Sequence, residues 1–464
     1  MRRPEAQSDE LRLGLRVAWH PEPTFEGRRR PIAASERVTL RRDGSTFGMG
    51  SMTIGTLSRQ HALIAQVGDG LQVRDLGSRN GTFVDGVAVD AAVLRPGQTL
   101  RLGDLLLVCD QAPIDFDDPS HPTLVGHSYE MAQVIRQMEL IADQSIGVLI
   151  RGETGVGKEV VAQAIHTQSK RAGDFVAVNC GALGEGVMQS ELFGHTAGAY
   201  SGAGKPRDGL IVSAHKGSLF LDEVGDATSA MQVALLRTLQ EAQVRQVGSD
   251  RPISVDLRVI AATHQDLEAM VSAGGFRQDL LMRLAEWIIE IKPLRSRRVD
   301  IPVLARRFAT ELGAPGQRLS KAFVEWLLLQ RWPGNVRELR AAVRQAIIAA
   351  GGAQWIEPTT WMRRPITEPT VKNAPAPVHS PSAAPPATAQ PATAPAPMAA
   401  AAEIGQADQW PLRGDLPDVD TLRAAIRTHR GNLSATAASF QVSRSTLYRW
   451  LTRLGLDSQG NPKE

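Results

Sequence analysis

Between residues 36 and 110, short apolar runs (RVTL, HALIAQV, LQVRDL, GTFVDGVAV, QTLRLGDLLLVC) alternate with Gly, Asp and Asn turns. Short strands punctuated in this way predict an all-β sandwich. After residue 124 the pattern changes. Continuous apolar runs such as SIGVLI, GSLFLDE and LRVIAAT are separated by stretches of helical period, which predicts buried parallel strands joined by crossover helices, an α/β sheet. From 416 onward the pattern is helical throughout. Between 365 and 415 Pro and Ala dominate and periodic apolar positions vanish; such a stretch buries too little surface to offset chain entropy and reads as a semi-extended linker. A shorter break, DQAPIDFDDPSHPT at 110–123, parts the first two regions. The expected organisation is therefore a sandwich at 1–112 with its core at about 36–110, an α/β domain at 124–351, the linker at 365–415, and an all-α domain at 416–464.

Composition narrows the picture. A chain of 464 residues exceeds one core, so about three domains are expected. A net charge of only +3 leaves nucleic-acid binding to a local patch rather than a global field. The two cysteines, Cys109 and Cys180, have no metal spacing and read as buried thiols in a reducing compartment. The start, MRRPEAQSDELRL, lacks a signal-peptide core, and no apolar run approaches the roughly 20 residues that span a bilayer. A cytoplasmic location without membrane contact is expected.

The chemistry is concentrated after the strand SIGVLI. There RGETGVGKE matches G-x-x-x-x-G-K, with Gly152, Glu153, Thr154, Gly155, Val156, Gly157 and Lys158 forming a phosphate loop. Its backbone N–H groups and the following helix N-terminus suit phosphate oxygens, and Lys158 adds a point charge for the β/γ end. The Ser/Thr that ordinarily follows the lysine is Glu159. The run GSLFLDE ends in Asp222 and Glu223. Alone, an acidic pair at a strand end is as well read as a helix start; beside a phosphate loop it suits a metal-holding Asp222 and a water-polarising Glu223. ATP and Mg2+ are the expected cofactors.

From LVGHSYEM at 124 to about 350 the chain resembles the AAA+ domain of the bacterial enhancer-binding proteins that activate sigma-54 RNA polymerase. The resemblance rests on GETGVGKE, VNCGAL, ELFGHTAGAYSGA, GSLFLDEVGD, LRVIAATHQDL, GGFRQDLLMRL and WPGNVRELR, in that order. That family commonly carries Glu after the lysine, as at Glu159. The resemblance implies that Asn179 is the switch that holds Glu223 until ATP is sensed, and Thr263 the first sensor. It implies Arg337 as the second sensor and Arg277 and Arg283 as arginine fingers acting in trans, hence a hexameric ring; taken alone, the two arginines read as a solvated basic face. The family's G-A-F-T-G-A loop, which contacts sigma-54, corresponds to Gly198, Ala199, Tyr200, Ser201, Gly202 and Ala203.

The two ends carry resemblances of their own. TLSRQHALI and DLGSRNGTFVDG resemble a forkhead-associated domain, a phosphothreonine reader. This implies that Arg42, Ser58, Arg59 and Asn80 bind a phosphothreonine-containing protein and that His61 braces their loop, although Arg41-Arg42 stands where the family has Gly-Arg. GNLSATAASFQVSRSTLYRWLTRLGL resembles a Fis-type helix-turn-helix, with Gln441 in place of the turn glycine. Leu447, Leu451 and Leu454 form its apolar stripe. Arg444, Ser445, Thr446, Tyr448 and Arg449 would face double-stranded DNA. Thr421 to Leu456 contains arginines and no acids, the local patch that DNA binding needs. The function these resemblances imply is an ATP-driven, sigma-54-dependent transcriptional activator. Its rivals are a non-enzymatic phospho-dependent DNA-binding regulator and an AAA+ remodeller of another target.

Overall fold

A computed structural model of the chain describes residues 10–43, 45–47, 54–116, 118, 121–182, 185–199, 206–360, 362, 419–429, 436, 439, 440, 447 and 451. It divides into two units, Met1–Pro369 and Thr370–Glu464. The first unit opens with a sandwich of a six-stranded and a four-stranded sheet. Strand Arg12–Trp19 lies antiparallel to Leu105–Ala112 in the larger sheet, so the sandwich begins well ahead of residue 36. The early strand places Leu13, Leu15 and Val17 in the same core as Leu105, Leu107 and Cys109.

The run LLLVC is buried on both faces. Leu106 and Val108 point away from the sandwich core and join Ala18 and Trp19 in a second cluster that includes Phe323, Leu327, Leu328 and Trp332. A strand without polar alternation has both faces covered, and the second cover here is the helical region that follows the α/β sheet. That region contains helices Ile301–Glu311, Lys321–Leu329 and Asn335–Ala350. Trp19 Nε1 donates to Leu319 O at 3.0 Å. Arg101–Glu325 at 2.8 Å, Lys321–Asp104 at 2.5 Å, Arg298–Asp85 at 3.4 Å and the Arg306–Glu26 pair ring this contact. The 110–123 break is a strap in its described part: Asp118 accepts from Arg16 at 2.8 Å, and the Phe116 ring meets Tyr129 edge-on at 5.7 Å.

The α/β part is a five-stranded sheet. Strands Phe175–Asn179, Ser218–Asp222, Arg258–Thr263, Val148–Arg151 and Trp287–Glu290 lie side by side in that order, and every pairing is parallel. Asn179 aligns with Asp222, and Arg151 with Thr263. The carboxyl ends of the strands thus bring the Gly152–Lys158 loop, the acidic pair and Thr263 to one edge, where open parallel sheets bind their ligands.

In the second unit, helix Val419–Thr428 is described. Leu422, Ala425, Ile426, Phe440, Leu447 and Leu451 pack as a small core. Leu447 and Leu451 are therefore interior. The linker at 365–415, Leu454 and the DNA-facing candidates Arg444, Ser445, Thr446, Tyr448 and Arg449 lie outside the described residues, as do Tyr200, Ser201, Gly202 and Ala203. No helix among the described residues is long and apolar enough to cross a membrane.

Trp19 contributes the largest side chain that the sandwich sends into the second cluster. Trp19→Ala is expected to cost about 3–5 kcal/mol, the usual range for truncating a buried aromatic. Chemical denaturation checks this: the wild type is expected to unfold its sandwich and ATPase region together, and Trp19→Ala to separate them into two transitions.

Candidate nucleotide site

The phosphate loop leaves strand Val148–Arg151 at Gly152 and enters helix Lys158–Ser169. Gly155 and Gly157 take φ of +79° and +108°, values that side chains disfavour. A Cβ on Gly155 would stand 2.4 Å from Gly334 O, whereas around Gly157 nothing lies within 4 Å. One glycine thus permits a close approach to the helical region, and the other keeps the loop bare. Gly155 O accepts from Val336 N at 2.9 Å and Arg337 N at 3.3 Å.

The loop forms one wall of a cavity of about 690 Å³. Leu124, Val125, Met131, Ile291, Leu304 and Phe308 supply an apolar side of a size and character suited to a base. Lys158, Glu159, Asp222, Glu223 and Arg337 line the polar side. Lys158 Nζ donates to Gly152 O at 3.0 Å and to Glu223 Oε1 at 3.4 Å.

Glu223 sits in the left-handed region at φ +50°, a strained conformation of the kind that clusters at functional sites. Its second oxygen accepts from His264 Nδ1 at 2.7 Å and from the His264 backbone N at 3.3 Å. Burial pushes the Glu223 carboxyl up, but the His264 hydrogen bond and the Lys158 charge more than offset this and hold it below its ordinary value. Asp222 moves the other way, raised by burial and then by the neighbouring Glu223 charge.

Asn179 lies one strand from Glu223, but its Oδ1 accepts from Gly181 N and Ala182 N, each at 3.0 Å. In this arrangement it is His264 that holds Glu223. Thr263 is fully buried, and its Oγ1 accepts from Gln265 N at 3.0 Å. Arg337 lies in the first turn of helix Asn335–Ala350 and reaches the cavity. Arg277 and Arg283 are exposed and line no part of the cavity, and Arg277 pairs with Asp279 at 2.6 Å. Gly198 and Ala199 close a stem held to the segment around residue 247, with Thr196 N donating to Val247 O at 3.1 Å.

Motif spacing alone does not single out His264, Arg295 or Asn335. Arg295 donates to both Glu153 oxygens at 2.7 and 2.6 Å. Asn335 Nδ2 donates to Glu153 Oε2 and Thr154 O at 3.1 Å each. These partners, Arg295 first, pull the Glu153 carboxyl down to about 2. The available signal was proximity to recognised motifs: His264 follows Thr263 in LRVIAATHQDL, and Asn335 lies in GNVREL.

Among the described residues no cluster of three or more His, Cys, Asp or Glu side chains could hold a metal by itself. A single strand-end carboxylate, Asp222, fits Mg2+, which commonly keeps waters and takes one or two carboxylates plus the nucleotide's phosphates.

On the sandwich, Arg42 Nε donates to Leu57 O at 2.7 Å. Ser58 Oγ accepts from Arg79 N at 3.1 Å, and Asn80 Nδ2 donates to Thr56 O at 2.6 Å. The buried His61 braces the two loops: its Nδ1 accepts from Ser58 N at 3.2 Å and its Nε2 lies 3.2 Å from Gly81 O. Arg59 is exposed beside them. The four residues expected to meet phosphothreonine thus share one edge.

Residues 124–290 match the sigma-54 interaction domain, 295–370 the AAA+ ATPase lid domain, and 53–103 the FHA domain. The transcriptional regulatory protein ZraR of Escherichia coli K12 is 47% identical over 234 residues, 49% of this chain and 53% of its own length. The anaerobic nitric oxide reductase transcription regulator NorR of Aeromonas hydrophila is 37% identical over 343 residues, 73% of this chain and 64% of its own. A crystal structure of NtrX from Brucella abortus in complex with ATP shares 29% identity over 72% of this chain and 70% of that chain, with a TM-score of 0.47. The chain spans about half the length of the ZraR relatives it matches. It carries a sigma-54 interaction domain and an AAA+ lid, which together make its centre an ATPase domain, preceded by an FHA domain.

Gly155→Ala would bring a Cβ against Gly334 O at a positive φ. Nucleotide affinity is expected to fall at least tenfold while the sheet stays folded, as read by titration calorimetry beside circular dichroism.

Proposed function

We propose that this chain, which joins a sigma-54 interaction domain and its lid to an FHA domain, is an ATP-driven, sigma-54-dependent transcriptional activator. The observation that carries this reading is the convergence of Lys158, Asp222, Glu223 and Arg337 on one cavity beside the positive-φ glycine loop. ATP phosphates take the backbone N–H groups of Gly152–Lys158, and the Lys158 ammonium exchanges its bonds to Gly152 and Glu223 for phosphate oxygens. Asp222 would hold Mg2+, which would supply positive charge against that developing on the phosphates. Glu223, no longer tied to Lys158, orients the attacking water and draws its proton. Thr263, Asn179 and Arg337 report the nucleotide state.

The exposure of Arg277 and Arg283, away from their own cavity, suits fingers offered to a neighbouring subunit, and so a hexameric ring. The loop Gly198–Ala203 then changes position with the cycle and works on the sigma-54 holoenzyme. Arg444, Ser445, Thr446, Tyr448 and Arg449 hold the ring at upstream double-stranded DNA. Arg42, Ser58, Arg59 and Asn80 bind a phosphothreonine-containing protein, which makes the machine responsive to a kinase. The setting of these steps is the cytoplasm.

Glu223→Gln keeps the phosphate loop and removes the base. It is expected to bind ATP with wild-type affinity and lose 10²- to 10⁴-fold in turnover, the usual worth of a positioned base. Single-turnover hydrolysis beside nucleotide binding checks it, and near-normal turnover rejects the assignment.

Tyr200→Ala separates the sigma-54 reading from remodelling of another target. ATP turnover and ring assembly should persist, while sigma-54 capture with a transition-state nucleotide analogue and open-complex yield are lost. Tyr200→Phe should retain both. Normal promoter opening by Tyr200→Ala would remove the loop from the mechanism.

A further inference from the structure

The segment Leu294–Asp300, which leads from the sheet into the lid, is held from two sides. On the nucleotide side Arg295 pairs with Glu153 at 2.6 Å, and Arg297 Nη2 donates to Val156 O at 3.0 Å. On the other side the sandwich reaches it through Asp85, 3.4 Å from Arg298. One helix further on, Lys321 pairs with Asp104 at 2.5 Å and Glu325 accepts from Arg101 at 2.8 Å. Any rotation of the lid about this segment has to carry the sandwich along or break those three ion pairs.

The same sandwich residues lead back to the phosphothreonine edge. Asp104 N donates to Thr56 Oγ1 at 2.9 Å, and Thr56 O accepts from Asn80 Nδ2 at 2.6 Å. There is no slack between the first two, because a Cβ on Gly103 would stand 2.7 Å from Thr56 O. In parallel, the Arg101 guanidinium lies 3.5 Å over the Phe83 ring, which in turn packs against Gly81 next to Asn80. Both routes end on helix Lys321–Leu329. At their far end, Asn80 and Ser58 are engaged internally, by Thr56 O and Arg79 N. A ligand that uses the Asn80 amide has to draw it off Thr56.

We propose that the docked sandwich is a clamp on the lid that restrains ATP turnover, and that a phosphothreonine ligand at Ser58 and Asn80 loosens it through Thr56, Asp104 and Lys321. The second half of this proposal rests on the phosphothreonine reading above; the first does not. Coupling of this kind is reciprocal for binding, so nucleotide and phosphopeptide shift one another's affinity by the same factor.

The test uses the full chain. Lys321→Glu reverses the contact to Asp104 and should raise basal ATP turnover about five-fold or more, the lower end of measured couplings. Position 321 is the first residue of its helix, where an acid is favourable, so the helix survives the change. Adding Asp104→Lys restores the pair with opposite polarity and should return turnover to the wild-type rate.

The probe for the ligand is a degenerate peptide pool centred on phosphothreonine, with the threonine pool as control. It should bind the wild type, raise its turnover, and add nothing to Lys321→Glu. If the phosphorylated pool binds no better than the control, the phosphothreonine reading fails, and the two charge variants decide the clamp alone. The proposal is overturned by unchanged or lower turnover in Lys321→Glu, by failure of the double variant to restore the rate, or by a pool that binds without altering turnover.

Discussion

The nucleotide site depends on one buried amide. Asn335 is fully buried, takes φ +51°, and accepts Leu294 N on its Oδ1 at 2.8 Å while its Nδ2 serves Glu153 and Thr154. It therefore fastens the entry to the lid and the phosphate loop to the start of one helix. Aspartate could not donate to the loop, and alanine would leave the buried Leu294 N–H short of a partner, a penalty of about 1–3 kcal/mol. Because Arg337 is two residues further along that helix, its position relative to the phosphate loop is fixed by this amide.

The electrostatics of the cavity follow from the same close packing. Lys158 is almost fully buried, and a buried ammonium requires a partner. Glu223 and Gly152 O supply it in the absence of phosphate. The ammonium that faces the cavity is thus the same charge that engages Glu223. His264 holds the other Glu223 oxygen, so the carboxylate is tied at the strand end as well as to the lysine. Asn179, one strand away, has its side-chain oxygen engaged by its own loop, at Gly181 and Ala182.

Much of this was legible in the sequence because it is local. The phosphate loop is a strand, a glycine turn and a helix within a dozen or so positions, and the strand-end acids follow an uninterrupted apolar run. What escaped reading is non-local. Nothing near Asn335 in the chain reveals that its amide crosses to Glu153, and nothing near His264 points to Glu223. The core expected at 36–110 left out the first strand, although RLGLRVAW alternates Leu13, Leu15, Val17 and Trp19 with Arg12, Gly14, Arg16 and Ala18; what its sequence does not show is that Arg16 is itself buried, against Asp110 and Asp118. The run LLLVC did carry a signal. Five apolar residues in a row are one too many layers for a free-standing sandwich, and the surplus face is the one the lid covers.

That covered face also decides which forces dock the sandwich and which only orient it. Of the ion pairs around the contact, Arg101–Glu325 and Lys321–Asp104 retain about a fifth to a third of their side-chain exposure, so each is worth about 0–1 kcal/mol. Trp19, Leu106 and Val108 are nearly or fully buried, and each apolar side chain so buried is worth about 1.5–3 kcal/mol. The apolar patch therefore supplies the affinity, while the weaker charged rim sets the register and can be rearranged at small cost. A contact built in that way takes its strength from the apolar patch, and reversing a rim pair shifts how the sandwich seats on the lid rather than whether it docks.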